Sequence, residues 1–146
     1  MRLAELLDSK GRAVYTIRPG DAIRDVVNRL VEHNIGALPV VDESDKLVGI
    51  ITERDILRLA TKCPADLGAI HVRDYMSRNL VTATPNATVD DAQSVMTNRR
   101  VRHLPVVEDG KLVGLVSIGD LVKVKLADAE FEARHLADFV MGKYPA

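Results

Sequence analysis

Apolar residues along this chain fall into two alternating patterns. Short unbroken runs occupy residues 38–41 and 47–51, on either side of the polar stretch Asp42-Glu43-Ser44-Asp45. The same arrangement returns at residues 104–107 and 112–116, around Glu108-Asp109-Gly110. Runs of this length about a polar turn predict two β-hairpins. Ahead of each hairpin the spacing becomes that of a helix face. Ala22, Val26, Val27, Leu30 and Val31 form the first face, and Val89, Ala92, Val95 and Met96 the second. Residues 14–17 and 80–82 are short, rich in β-formers and closed by a proline, which predicts brief strands. A further helix is expected to begin at Glu53 and at Gly119.

The pattern repeats because the sequence repeats. Residues 16–41 align without gaps on residues 82–107, matching Thr16 to Thr82, Pro19 to Pro85, Asp25 to Asp91, and Leu38-Pro39-Val40-Val41 to Leu104-Pro105-Val106-Val107. Past the turn, Lys46-Leu47-Val48-Gly49 meets Lys111-Leu112-Val113-Gly114, and Asp55 meets Asp120. Each unit therefore reads β-α-β-β-α, an α+β class. Thr88 with Asp91 resembles a capping box, whereas Ala22 stands in the matching place of the first copy. Loss of that cap weakens the first helix start by about 1 kcal/mol. A unit of some sixty residues buries too little surface to be comfortable alone. Two such units, expected at residues 1–70 and 71–146, can pack their sheets about a pseudo-twofold axis and leave two related clefts between them.

Composition narrows the classes of function. With 146 residues, 47% hydrophobic and 28% charged, the chain has the balance of a soluble globular protein. No apolar stretch is long enough to span a bilayer, and the start MRLAELLDSKGR lacks the long apolar run of a signal peptide. Cys63 is the single cysteine, which excludes an internal disulfide and fits a cytoplasmic location. A net charge of −1 gives no general attraction to nucleic acid or to anionic membrane. The absence of Trp, with three Tyr and two Phe, leaves little for stacking bases.

The repeated order Thr-x-x-Pro, Leu-Pro-Val-Val, Lys-Leu-Val-Gly, then Thr52-Glu53-Arg54-Asp55 or Ser117-Ile118-Gly119-Asp120, resembles the CBS domain, and the tandem resembles a Bateman module. The likeness runs from Leu3-Ala4-Glu5-Leu6-Leu7, read as a helix, to at least Val122. Val72-Arg73-Asp74-Tyr75-Met76 is similar to the short helix that precedes a second CBS unit. The resemblance implies two CBS repeats with a short N-terminal helix and an extended C-terminal one. It also implies an adenine-containing ligand, such as AMP, ADP, ATP, NAD(H) or S-adenosylmethionine, and a regulatory outcome. Disc-like homodimers are common in the family.

Chemistry gives these motifs a role of their own. A hydroxyl at a strand end, Thr52 or Ser117, lies where free N–H groups and the helix dipole favour phosphate. One turn later Asp55 or Asp120 can accept both hydrogens of a ribose diol. The same residue pairs also suit plain helix capping, so both readings stand. Ile50-Ile51 and Leu115-Val116 are candidates to line an adenine slot. By resemblance, Thr16 and Thr82 contact the base, and Arg102-His103 reach phosphate. The first copy has Gly36-Ala37 at that place, with Ala37 a neighbouring contact. Glu53 adds an anion there, partly answered by Arg54. Phosphate is thus expected to be held better by the second copy.

Other signals carry less. The four histidines lack metal-ligand spacing, and no nucleophile elbow appears. Cys63 has no resolving partner, and Arg99-Arg100-Val101-Arg102 is a brief basic edge. At the C-terminus, Leu126, Ala129, Ala133, Leu136, Ala137, Val140 and Met141 form an apolar stripe that favours a subunit contact, with Gly142 as the stop. The reading is a CBS pair without an attached catalytic or transport domain, binding an adenine nucleotide, AMP first, and addressing a downstream protein target. Metal and catalytic residues are not expected. The alternative is an interaction module that works through its C-terminal helix, its clefts vestigial.

Overall fold

The computed structural model describes residues 1–140 and contains α1 (Leu3–Lys10), α2 (Ile23–His33), β1 (Ala37–Val41), β2 (Leu47–Thr52), α3 (Glu53–Ala60), α4 (Val89–Arg99), β3 (His103–Glu108), β4 (Lys111–Ser117) and α5 (Ile118–Val140). Two single-turn 3-10 helices, Leu67–Ala69 and Val72–Asp74, lie between the repeats. The expected Met141 and Gly142 at the end of α5 fall outside the described residues.

Both hairpins form, in one register. Ala37 pairs Thr52 and Val40 pairs Gly49, while His103 pairs Ser117 and Val106 pairs Gly114. Each register slips once, after Val40 and after Val106. The brief strands expected at residues 14–17 and 80–82 shrink to single parallel bridges, Ile17 with Val40 and Ala83 with Val106. The second bridge falls one residue beyond its expected run. Each contributes two hydrogen bonds to the hairpin before the chain turns at its proline, which has no N–H to extend a ladder.

The helix faces follow the spacing with one adjustment. Ile23, Val26 and Leu30 of α2 are buried, but Val31 is 76% exposed and Ala22 serves as the N-cap. Hence the buried stripe is one position off the expected face. Thr88 makes the expected cap: its Oγ1 accepts from the Asp91 N–H at 3.1 Å, and its own N–H donates to Asp91 Oδ2 at 3.0 Å. In the first copy only the carboxylate half survives, the Ala22 N–H donating to Asp25 at 3.2 Å.

There are two hydrophobic cores, and each is completed by the segment that precedes the other repeat. Leu3, Leu6 and Leu7 of α1 pack with Val89, Leu104 and Val116 of the second copy. Val72 and Met76 pack with Ile23, Leu38 and Ile51 of the first. Backbone bonds repeat the exchange symmetrically. Leu3 N–H donates to the Ala87 carbonyl and Ala4 N–H to Pro85, just as Val72 donates to Asp21 and Arg73 to Pro19. Lys46 bridges to Lys111, its own counterpart, so the pseudo-twofold axis passes between them.

This exchange explains the glycine in each Lys-Leu-Val-Gly. A Cβ at Gly114 would stand 2.6 Å from the Leu7 methyls, and one at Gly49 would stand 2.7 Å from Met76 Sδ and 3.0 Å from the Ser77 carbonyl oxygen. Both glycines give room for the crossing segment. Gly114→Ala should therefore destabilise by about 1–3 kcal/mol through overpacking, and Leu7→Ala by about 2–5 kcal/mol through a cavity. Thermal unfolding of the double variant should show less than the summed loss, because the smaller side chain makes room for the new methyl. Simple additivity would refute the contact.

Candidate functional site

In each repeat the second hairpin strand runs straight into a helix, and the corner is fixed by short-range bonds. The Thr52 N–H donates to Asp55 Oδ2 at 2.8 Å and Thr52 Oγ1 donates to the same oxygen at 3.2 Å. The Ser117 N–H donates to Asp120 Oδ2 at 2.8 Å, and Ser117 Oγ accepts from the Asp120 N–H at 3.2 Å. Both corners are thus helix caps, the second a reciprocal one. In each, Oδ2 carries the protein's bonds, and none among the described residues occupies Oδ1. Capping and ligand contact are therefore compatible.

Entry to each hairpin is tied to its corner. The Glu53 N–H donates to the Gly36 carbonyl at 3.0 Å and the Ile118 N–H to the Arg102 carbonyl at 2.9 Å. The two repeats then meet at these places. The His103 imidazole lies over Gly36, where a Cβ would come within 3.3 Å of Cε1 and Nε2 and 3.5 Å of Glu53 Cδ. Any side chain at position 36 would crowd the ring.

A third element enters from α1. Lys10 Nζ donates to Asp120 Oδ2 at 2.6 Å and to the Leu115 carbonyl at 2.7 Å, with Asp120 only 17% exposed. Burial pushes the Asp120 carboxyl up, but the Lys10 ammonium and the Ser117 N–H outweigh it and hold the group below the usual carboxylate value. His103 moves down as well. Its burial disfavours the charged ring, and Glu53 and Asp120 offset this only in part, with Lys10 and Arg102 adding to it.

The sequence candidates thus divide. Asp55, Thr52, Ser117, Asp120 and His103 are partly buried around the junction, with Arg54 and Arg102 exposed beside them. Neither guanidinium has a side-chain partner among the described residues. Thr16 is half-buried and its carbonyl accepts from Arg29, while Thr82 is exposed. Ala37, Ile51 and Val116 are 1%, 0% and 0% exposed, so their side chains belong to core. Ile50 and Leu115, their neighbours in the runs, are the half-exposed ones. Lys10 was not among the candidates. It sits in an ordinary amphipathic helix, and nothing local marks which core that helix joins.

Comparison with known proteins agrees with the repeat. The sequence matches the CBS domain family over residues 10–62 and 72–127. It is 35% identical over 150 residues to the CBS domain-containing protein CBSX3, mitochondrial, of Arabidopsis thaliana, covering 97% of this chain and 73% of that one. The crystal structure of the CBS-domain containing protein ATU1752 from Agrobacterium tumefaciens superposes with a TM-score of 0.80 at 38% identity, covering 86% of this chain and 99% of that one. Two liganded structures are also similar. One is the CBS domain pair of MJ0100 with 5-methylthioadenosine and S-adenosyl-L-methionine, with a TM-score of 0.76, 30% identity, and 85% and 98% of the two chains covered. The other is CBSX2 with AMP, with a TM-score of 0.68, 27% identity, and coverage of 80% and 90%.

His103 makes stability depend on pH. Its folded value lies below the ordinary 6.5 of the unfolded chain, so its contribution is complete above pH 6.5 and is lost as pH falls through the folded value. The melting temperature should drop from about pH 7.5 to about pH 5.5, and His103→Gln should remove more than about half of that drop. An unchanged slope in the variant would show that the ring is not desolvated.

Proposed function

Since the chain belongs to the CBS-domain family, we propose that it binds an adenine nucleotide, AMP first, where its two repeats meet, and serves as a regulatory module without catalysis of its own. The observation that carries this reading is the pair of repeat-related corners, each holding a carboxylate by one oxygen and leaving the other open, beside Lys10, Arg102 and His103. Asp55 and Asp120 take ribose hydroxyls through Oδ1. Lys10 and Arg102 meet the phosphate, with the neutral imidazole of His103 as a hydrogen-bonding partner. The backbone at Ala37, Ile51 and Val116, with Ile50 and Leu115 beside them, borders the base, and Thr16 and Thr82 reach its edge. Adenosine ligands in the similar CBS pairs, 5-methylthioadenosine and S-adenosyl-L-methionine in one and AMP in another, support the ligand class.

Charge favours a phosphate at the second corner. Lys10 and Arg102 stand there, whereas Glu53 stands at the first. A dissociation constant near micromolar, about −8 kcal/mol, suits reporting on an abundant cytoplasmic adenylate. Such a report reaches a downstream protein only if the ligand prefers one arrangement of the module over another.

A second reading draws on α5, where Leu126, Leu136 and Val140 are 57%, 63% and 76% exposed. On that reading the module works as an interaction surface, and its corners are only caps. Calorimetric titration with AMP, ADP, ATP, NADH and S-adenosylmethionine separates the two. We expect AMP to bind, Asp120→Ala to weaken it by about tenfold or more (1.4 kcal/mol), and Asp55→Ala to weaken it less. Absence of heat from every ligand would sink the sensor, and equal losses would sink only the asymmetry.

A further inference from the structure

The outer edges of the two hairpins are closed in different ways. Ile50 stands opposite Pro39, and Leu115 opposite Pro105. Each proline turns its carbonyl away from the hairpin, accepting from Ile17 at 3.1 Å and from Ala83 at 3.0 Å. In an antiparallel pair this leaves the facing residue's N–H and C=O on the outer edge. For Ile50 the main chain closes that edge. Its N–H donates to the Ser77 carbonyl at 3.0 Å, and its carbonyl accepts from the Ser77 N–H at 2.8 Å. At Leu115 a side chain takes the place of the strand. Lys10 Nζ donates to the Leu115 carbonyl at 2.7 Å and to Asp120 Oδ2 at 2.6 Å. Main chain is neutral, and an ammonium is not. Among the described residues no cation is bonded to Asp55 in the matching place.

We propose that Lys10 is the specificity-determining residue of the second corner, favouring adenosines with an anionic group on the primary ribose carbon over those with a sulfonium or a thioether there. This selectivity rests on the nucleotide reading above and extends it to the ligands that the corner turns away. An ionised Asp120 by itself would attract a sulfonium. Its charge is already matched by Lys10 at hydrogen-bond distance. A cation arriving beside that pair meets a fixed ammonium, and like charges placed together cost affinity. An anion meets the same ammonium and gains. Lys10 keeps its place in either case, because it holds Oδ2 while Oδ1 stays open to the ribose. Of its three N–H donors, two are used among the described residues. The third is left for a phosphate oxygen on the ribose that Asp120 holds. Arg102 is exposed and draws anions to the corner without a side-chain bond to position it. Lys10 alone is anchored at two points.

Calorimetric titration of the full chain with AMP, 5-methylthioadenosine and S-adenosyl-L-methionine reads the selectivity, with Asp55→Ala present in each variant to mute the first corner. AMP should bind at least about tenfold more tightly than 5-methylthioadenosine. Lys10→Met, similar in length and uncharged, should lower that ratio by at least about fivefold and tighten S-adenosyl-L-methionine. Lys10→Arg keeps the charge and should hold the ratio within about twofold. A Lys10 that served only the fold would weaken all three ligands alike, and thermal melting reports that loss separately. An unchanged ratio in Lys10→Met, or an equal fall in Lys10→Arg, would overturn the selectivity and leave the nucleotide reading intact. If the wild type binds none of the three, both fall together.

Discussion

Neither repeat of this chain closes a core by itself. A unit of about sixty residues exposes too much of its surface on folding, and here the deficit is met by exchange. The leucines of α1 lie over the second hairpin, and Val72 and Met76 lie over the first. Gly114 and Gly49 follow from that crossing, since the incoming side chains occupy the space their Cβ atoms would need. The pseudo-twofold axis is a consequence too. Two identical deficits, each filled by the segment ahead of the other copy, place Lys46 against Lys111. Folding one half without the other would leave three buried leucines, or Val72 and Met76, facing water.

The same exchange breaks the symmetry where chemistry matters. Because α1 ends beside β4, Lys10 reaches Asp120 and the Leu115 carbonyl. Residues 72–79 hold the corresponding place over the first repeat, and neither of their cations, Arg73 and Arg78, bonds to Asp55. Two corners built from nearly the same letters thus differ in charge. One presents a carboxylate already balanced by an ammonium. The other keeps its carboxylate on its own cap and has Glu53 nearby. His103 joins them by lying across Gly36. The repeat-related corners are therefore unequal in charge.

The outer half of α5 stands apart from both cores. Leu121 and Val124 hold its first turns to the second repeat, and past them the helix carries its apolar residues into solvent. Among the described residues no helix is long and apolar enough to cross a membrane.

What is set within a few residues is legible in the chain: the duplicated helix–hairpin–helix order, the Thr88–Asp91 cap and the Thr52–Asp55 and Ser117–Asp120 corners, whereas the leading strand of each unit shrinks to a single bridge. Periodicity and capping act over one or two turns, so they can be read in a line of letters. In continuous apolar runs the pattern fails, because it cannot say which of Ile50 and Ile51, or Leu115 and Val116, turns inward. Only the tertiary structure decided that, and it alone joined Lys10 to Asp120 across 110 residues and laid His103 on Gly36. Burial of apolar surface is non-directional: α1 carries the need for a core, while the choice of core, and with it the charge beside Asp120, is made by packing.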